Sequence, residues 1–241
     1  MVYAKRFDGR KFDELRKIEA EVGVIPNADG SARFKIGKTE AIVGVYGPNE
    51  MHPKFLQNPR KGTLRCKYNM ISFSVNDRAR PGPSRRSQEL GLVIASALEP
   101  VCLLNDFPKL IVDVFIEIPQ ADAGTRCAAI CAASMALADA GIPMKDLVAA
   151  VAVGKIGDKI CLDINKEEED YDGPGGATDI PIAYSPVENK LTLLQLDGKI
   201  KGEDLTKAVE MGIKGAKKIY EIQKIALKKK YKVDEILGKK I

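Results

Sequence analysis

The chain has 241 residues, 45% of them hydrophobic, and its 38 basic and 33 acidic side chains leave a net charge of +5. That is enough apolar material for a substantial core. No run approaches the roughly eighteen apolar residues of a membrane helix, and the N-terminal MVYAKRFDGRKFDELRK has no apolar signal core, so a cytoplasmic protein without membrane attachment is expected. Five scattered cysteines without a CxxC, and a lone His52 in Met-His-Pro, argue against a zinc site and against a nucleophile–histidine triad. The cysteines read as small core residues in a reducing compartment.

In chain order, residues 1–12 read as an irregular arm, followed by short strands at 18–25, 31–36 and 39–46 in a meander. The segment ARFKIGKT at 32–39 fits a relaxed phosphate-loop pattern, but Arg33 to Ile36 alternates like a hairpin strand and no long helix follows, so that reading is set aside. A polar, proline-bearing loop at 50–61 carries Lys54, Arg60 and Lys61. The strand expected at 63–75 continues the charge with Arg65 and Lys67. Pro81-Gly82-Pro83 precludes helix, and Ser84 with Ser87 or Gln88 then makes a capped helix start whose first turn holds Arg85 and Arg86. Cations there oppose the helix dipole unless they serve an anion.

A buried-looking strand at 110–118 feeds Gly124-Thr125-Arg126 and a helix of small residues over 127–140. Two readings stand for this junction: an ordinary helix cap, the commoner case, or an anion site in which free amides, a hydroxyl and a guanidinium converge. Strands at 147–153 and 159–164 flank a hinge at 154–158. An acidic run follows (Asp163, Glu167, Glu168, Glu169, Asp170, Asp172), then Gly173-Pro174-Gly175-Gly176 and Asp179 at the start of an apolar strand over 180–184. The acidic run reads equally as solvated surface or as a Mg²⁺ or proton-donor site. Asp179 is harder to dismiss, because a carboxylate entering an apolar strand loses solvation. A strand at 190–196, a long helix over 202–230 and solvated C-terminal lysines (Lys224, Lys228, Lys229, Lys230, Lys232) complete the chain. The pattern predicts one α+β domain of mixed sheets with packed helices, and two arginine-bearing helix starts, a carboxylate and a basic loop suit phosphoryl transfer on a polyanion.

SVNDRARPGPSRRSQELG, FIEIPQADAGTRCAAICAASMALADAGIPMKDLVAAVAVG, LDINKEEED with ATDIPIA, and LLQLDGKI resemble, in order and spacing, the ribonuclease PH family, and within it the branch that forms exosome rings. The resemblance spans nearly the whole chain. It implies a single ribonuclease-PH-like domain of the ribosomal protein S5 domain 2-like type over 1–241, with an N-terminal arm at 1–12 and a C-terminal tail at 232–241. It further implies a phosphate-dependent exonuclease that trims single-stranded RNA from the 3′ end to nucleoside diphosphates and can run in reverse.

By that resemblance Gly124, Thr125 and Arg126 bind inorganic phosphate, Arg85 and Arg86 bind the RNA backbone near the scissile phosphate, and Asp179 is the proton donor or metal-associated acid. Lys54, Arg60, Lys61 and Arg65 would guide RNA through the neck of a ring. The family spaces Glu-Asp six residues before the second Asp, whereas Asp170 here lies nine before Asp179. The first acid is therefore Asp170 or Asp172, with Asp170 preferred for its preceding Glu, and Mg²⁺ is expected at Asp170 and Asp179. The implied partners are a related non-catalytic ring subunit, in a trimer of heterodimers, and RNA-binding cap subunits. The alternatives are an inactive structural ring member and a homohexameric trimmer of tRNA ends.

Overall fold

The computed structural model describes residue 3 and residues 5–238, with side chains through residue 231. It contains two sheets. The first comprises β1 (Ile18–Val22), β2 (Gly30–Ile36), β3 (Thr39–Glu50), β4 (Thr63–Met70) and β5 (Leu110–Gln120) in the order β1-β2-β3-β5-β4, and only the β4–β5 pair is parallel. The second is an antiparallel sheet of β6 (Ala149–Ile156), β7 (Lys159–Leu162), β8 (Ala177–Ser185) and β9 (Lys190–Leu194) in the order β7-β6-β8-β9. Helix α1 (Arg85–Leu98) crosses from β4 to β5 and packs on β4, and α2 (Thr125–Asp139) lies between the sheets against β2, β3 and β6. The four-residue α3 (Lys166–Glu169) precedes β8, and α4 (Gly202–Gly238) covers the second sheet and reaches β1.

The position of α2 explains its composition. Every residue from Cys127 to Leu137 is buried, so the helix needs apolar or small side chains all round rather than on one stripe. Its neighbours form a single buried cluster running through both sheets. The sequence α2 occupies has few large side chains because sheets on two sides leave little room.

The predicted α+β architecture holds, with adjusted boundaries. β3 continues through Gly47-Pro48 to Glu50, absorbing the expected turn as a register shift between Tyr46 and Asn49. β4 ends at Met70, well short of residue 75, and a turn closed by Ser74 N–H to Ile71 C=O follows. The expected hinge at 154–158 is mostly strand, narrowed to a turn at Gly157-Asp158. ARFKIGKT is indeed strand β2, a tight turn and the start of β3. Helix α4 runs on to Gly238, past the predicted end at 230. The side chains of the 232–241 tail, Lys232 among them, lie outside the described residues. Lys230 is not a solvated lysine: it forms a salt bridge with the buried Asp139 of α2. All five cysteines are free thiols, four of them buried. No helix among the described residues is long and apolar enough to cross a membrane.

Two more readings change on packing grounds. The arm is irregular but not loose: Tyr3 and Arg6 are buried, and Arg6 donates to the Leu162 and Asp163 carbonyls and to both carboxylate oxygens of Glu168. Glu168, in the middle of the acidic run, is therefore neither solvated nor a metal ligand. Burial raises its pKa, but hydrogen bonds from Arg6 and Tyr3 outweigh that and hold it below the ordinary glutamate value.

Candidate active site

The site forms where β4, β5, α2 and β8 converge. Residues 121–124 join β5 to α2, and Ala123 (φ 58°) and Gly124 (φ 65°) both take left-handed backbone there. Gly124 occupies the N-cap position with no side-chain hydrogen bond capping the helix, and Thr125 is the first helical residue. Thr125 is thus not the cap. Its hydroxyl instead accepts from the Tyr68 hydroxyl at 2.9 Å, which leaves its own proton free for another acceptor. The contrast with α1 is direct: there Ser84 and Ser87 close a reciprocal capping box, as predicted. One helix start is sealed by its own side chains and the other is left with open amides.

Arg126 donates through Nη1 to Gln195 Oε1 at 2.7 Å and forms no ion pair among the described residues. A partly buried guanidinium is thereby oriented by a neutral amide rather than by an ion pair. Tyr68, at the C-terminal half of β4, is buried, and burial raises its pKa. The Thr125 hydrogen bond and the charges of Arg86 and Arg126 pull the other way. Arg85 and Arg86 are exposed and unpaired among the described residues, and Tyr68 feels the charge of both Arg86 at the start of α1 and Arg126 at the start of α2.

Asp179 lies on β8 opposite Gly154 of β6, and its backbone exchanges hydrogen bonds with Asp197. Among the described residues its Oδ1 is buried without a hydrogen-bond partner. Burial lifts its pKa to about 6, against the attraction of Arg126; Glu169 and Asp197 push it further up, while the Ile180 N–H lowers it. A carboxyl held near neutrality can lend a proton at physiological pH. Cys127, one turn into α2, is not a nucleophile, because burial pushes its thiol far above the ordinary value.

The structure does not bring Asp170 into this site. Asp170 is exposed and pairs with Lys166 at 2.7 Å, and Asp172 is exposed, so the carboxylates acting on Asp179 are Glu169 and Asp197. Nor does the basic loop complete the site. Lys61 pairs with Glu99 at the far end of α1 from Arg85, about 20 Å away along a 14-residue helix at 1.5 Å per residue. Arg65 is held by Asp113 in a two-pronged contact of 2.5 and 2.8 Å, and Lys54 sits 3.6 Å from Glu50, so of Lys54, Arg60, Lys61 and Arg65 Arg60 is the one without an ion pair among the described residues. Sequence reasoning missed Tyr68, Gln195 and Asp197. The last two lie in LLQLDGKI, whose only signal was its place in the resemblance, and Tyr68 looked like any core aromatic of an alternating strand.

With this geometry in view, residues 14–143 match the 3′ exoribonuclease family, domain 1, and residues 146–215 match the same family's domain 2. The chain belongs to the ribonuclease PH family of 3′ exoribonucleases. It is 57% identical over 227 residues to the exosome complex component Rrp41 of Thermococcus kodakarensis, covering 94% of this chain and 90% of that protein. It is 51% identical to the Rrp41 of Nitrosopumilus maritimus over 94% and 91% of the two chains. Among solved structures it is similar to rice Rrp46, with a TM-score of 0.80 at 25% identity over 92% of this chain and 100% of that one. It is also similar to a chain of the Archaeoglobus fulgidus exosome with RNA bound to the active site, with a TM-score of 0.76 at 26% identity over 90% and 92%.

Proposed function

We infer that this chain is a phosphorolytic 3′–5′ exoribonuclease, the catalytic subunit of an exosome-type ring acting on single-stranded RNA. The observation that carries the site assignment is Arg126, a half-buried cation held by a neutral amide beside an uncapped helix start and a free hydroxyl proton. Inorganic phosphate binds to the Thr125 hydroxyl, Arg126 and the amides opening α2 beyond Gly124. One of its oxygens attacks the phosphorus of the last phosphodiester in line. A new P–O bond forms, the bond to the RNA 3′ oxygen breaks, and the terminal nucleotide leaves as a 5′-diphosphate. Arg85 and Arg86 offset charge on the RNA phosphate, and the protonated Asp179 carboxyl gives its proton to the departing 3′ oxygen. Because phosphate rather than water is the acceptor, the reaction is a transfer and not a hydrolysis, and no activated Ser, Cys or His is needed.

Among the described residues no group of three or more His, Cys, Asp or Glu could cage a metal. In its ionised state, in place of the proton it otherwise donates, Asp179 would offer Mg²⁺ a single ligand position through its unpartnered Oδ1. Such an ion would supply charge screening at the phosphates. Of the basic loop, Arg60 is the side chain free to guide RNA before it reaches the site, because Glu99 holds Lys61, Asp113 holds Arg65 and Glu50 lies beside Lys54. A related non-catalytic subunit alternates with this one in a trimer of heterodimers bearing RNA-binding caps. That reading is supported by Leu92 on α1, Leu194 on the neighbouring edge strand β9 and Leu196 just beyond it, all exposed. The test is to incubate the chain, alone and with its partner subunit, with single-stranded RNA with and without phosphate. Diphosphates that form only with phosphate support the reading; monophosphates without phosphate overturn it. Arg126→Ala should raise the phosphate concentration needed, and an unchanged phosphate dependence removes Arg126 from the site.

A further inference from the structure

The turn that presents Thr125 and Arg126 is held in an unfavourable conformation by residues outside it. Left-handed backbone is disfavoured at Ala123, whose Cβ crowds the neighbouring carbonyl there, and it persists only where its surroundings over-determine it. Two side chains do so. Thr39, fully buried at the start of β3, donates through Oγ1 to the Ala123 carbonyl at 2.7 Å and accepts from the Asp122 N–H at 2.9 Å. Arg16, buried ahead of β1, donates through Nη1 to the Asp122 carbonyl at 2.6 Å. Its Nε and Nη2 clasp Asp163 at 3.0 and 2.8 Å, and its own backbone N–H meets the same carboxylate. Asp163 follows β7 of the second sheet, and its N–H is bonded to the Ala152 carbonyl of β6, the strand next to β8 and Asp179. The Asp122 carboxylate accepts in turn from the Lys166 N–H at the start of α3, the helix that carries Glu169. The guanidinium therefore ties the phosphate-binding turn on one sheet to the acid-bearing sheet opposite.

Building on the phosphate site assigned above, we propose that Thr39 and the Arg16–Asp163 pair are positioning residues that set the phosphate-binding turn against Asp179. Neither touches substrate. Thr39→Val keeps shape but removes both hydrogen bonds, Thr39→Ser keeps the hydroxyl, and Arg16→Lys keeps a charge for Asp163 but cannot reach Asp163 and the Asp122 carbonyl together. With the chain assembled with its partner subunit, Thr39→Val and Arg16→Lys should raise the KM for phosphate about ten- to a hundredfold, the scale of a sub-ångström to 1 Å misplacement. RNA affinity by fluorescence anisotropy should stay within about twofold, because Arg85 and Arg86 stand on a different helix. Thr39→Ser should restore the wild-type phosphate KM. If either folded variant keeps the wild-type phosphate KM, or loses only kcat in proportion to its inactive fraction, the positioning role is refuted. Should Thr39→Val not fold, Arg16→Lys and Thr39→Ser decide the matter by the same readouts. A wild-type enzyme whose activity does not depend on phosphate would refute the underlying site assignment instead, and the unmutated control reports it separately.

Discussion

Replacing Asp179 by Asn should abolish turnover and at the same time stabilise the protein at neutral pH. Holding this carboxyl at about 6 instead of its ordinary 3.8 amounts to about 3 kcal/mol at 1.36 kcal/mol per pH unit, charged against the native state wherever the group is ionised. The sign follows from proton binding. Between about pH 4 and 6 the native state binds more protons at this position than the unfolded chain, so its contribution to stability falls as pH rises and then levels off above 6. Asn carries no charge, but its amide enters a pocket in which one carboxylate oxygen is already unpartnered, a loss of about 1–3 kcal/mol. The net gain at pH 8 is thus about 0–2 kcal/mol, or up to roughly 8 °C in Tm for a chain of this size, reversing at pH 4. Thermal unfolding of both proteins across pH 4–8 measures it. A Tm difference independent of pH refutes the assigned burial of the charge, and an active Asn variant refutes the acid role. Wild-type kcat, if proton donation limits it, should also decline as pH rises through about 6.

Removing Arg85 or Arg86 should weaken RNA binding and reduce the slope of log affinity against log salt by about 0.7 for each RNA phosphate that is no longer neutralised. Arg65→Ala should leave that slope nearly unchanged, because Asp113 already occupies the guanidinium; titrations at several salt concentrations distinguish the two. Glu168→Ala should lower stability by about 3–5 kcal/mol, since it strands the buried Arg6 charge; the check is a loss of Tm on the order of 10 °C. Gly91→Ala places a Cβ about 2.6 Å from the Cys66 carbonyl of β4. It should push α1 outward, weakening RNA binding through Arg85 and Arg86 and costing about 1–3 kcal/mol. Unaltered RNA affinity would show that α1 packing does not set those arginines.

Much of the site was legible in the chain because its parts are local. Gly124-Thr125-Arg126 follows a strand and opens a helix, Ser84 and Ser87 make their capping box across three residues, and Asp179 stands at the head of an apolar strand. Turn chemistry, helix starts and strand alternation depend on neighbours within a few residues, so they can be read from order alone. What order could not decide were the long-range pairings. Glu168 looked as solvated as Asp170, yet Arg6, 162 positions earlier, buries it, while Asp170 stays in water with Lys166. The basic loop looked like part of the site until Lys61 met Glu99 and Arg65 met Asp113. Above all, the sequence placed an arginine and an aspartate on separate segments 53 positions apart in number. Only the packing of two sheets around α2 set Arg126 in the field of Asp179, buried one oxygen of that carboxylate without a partner, and so raised it to a proton donor's pKa.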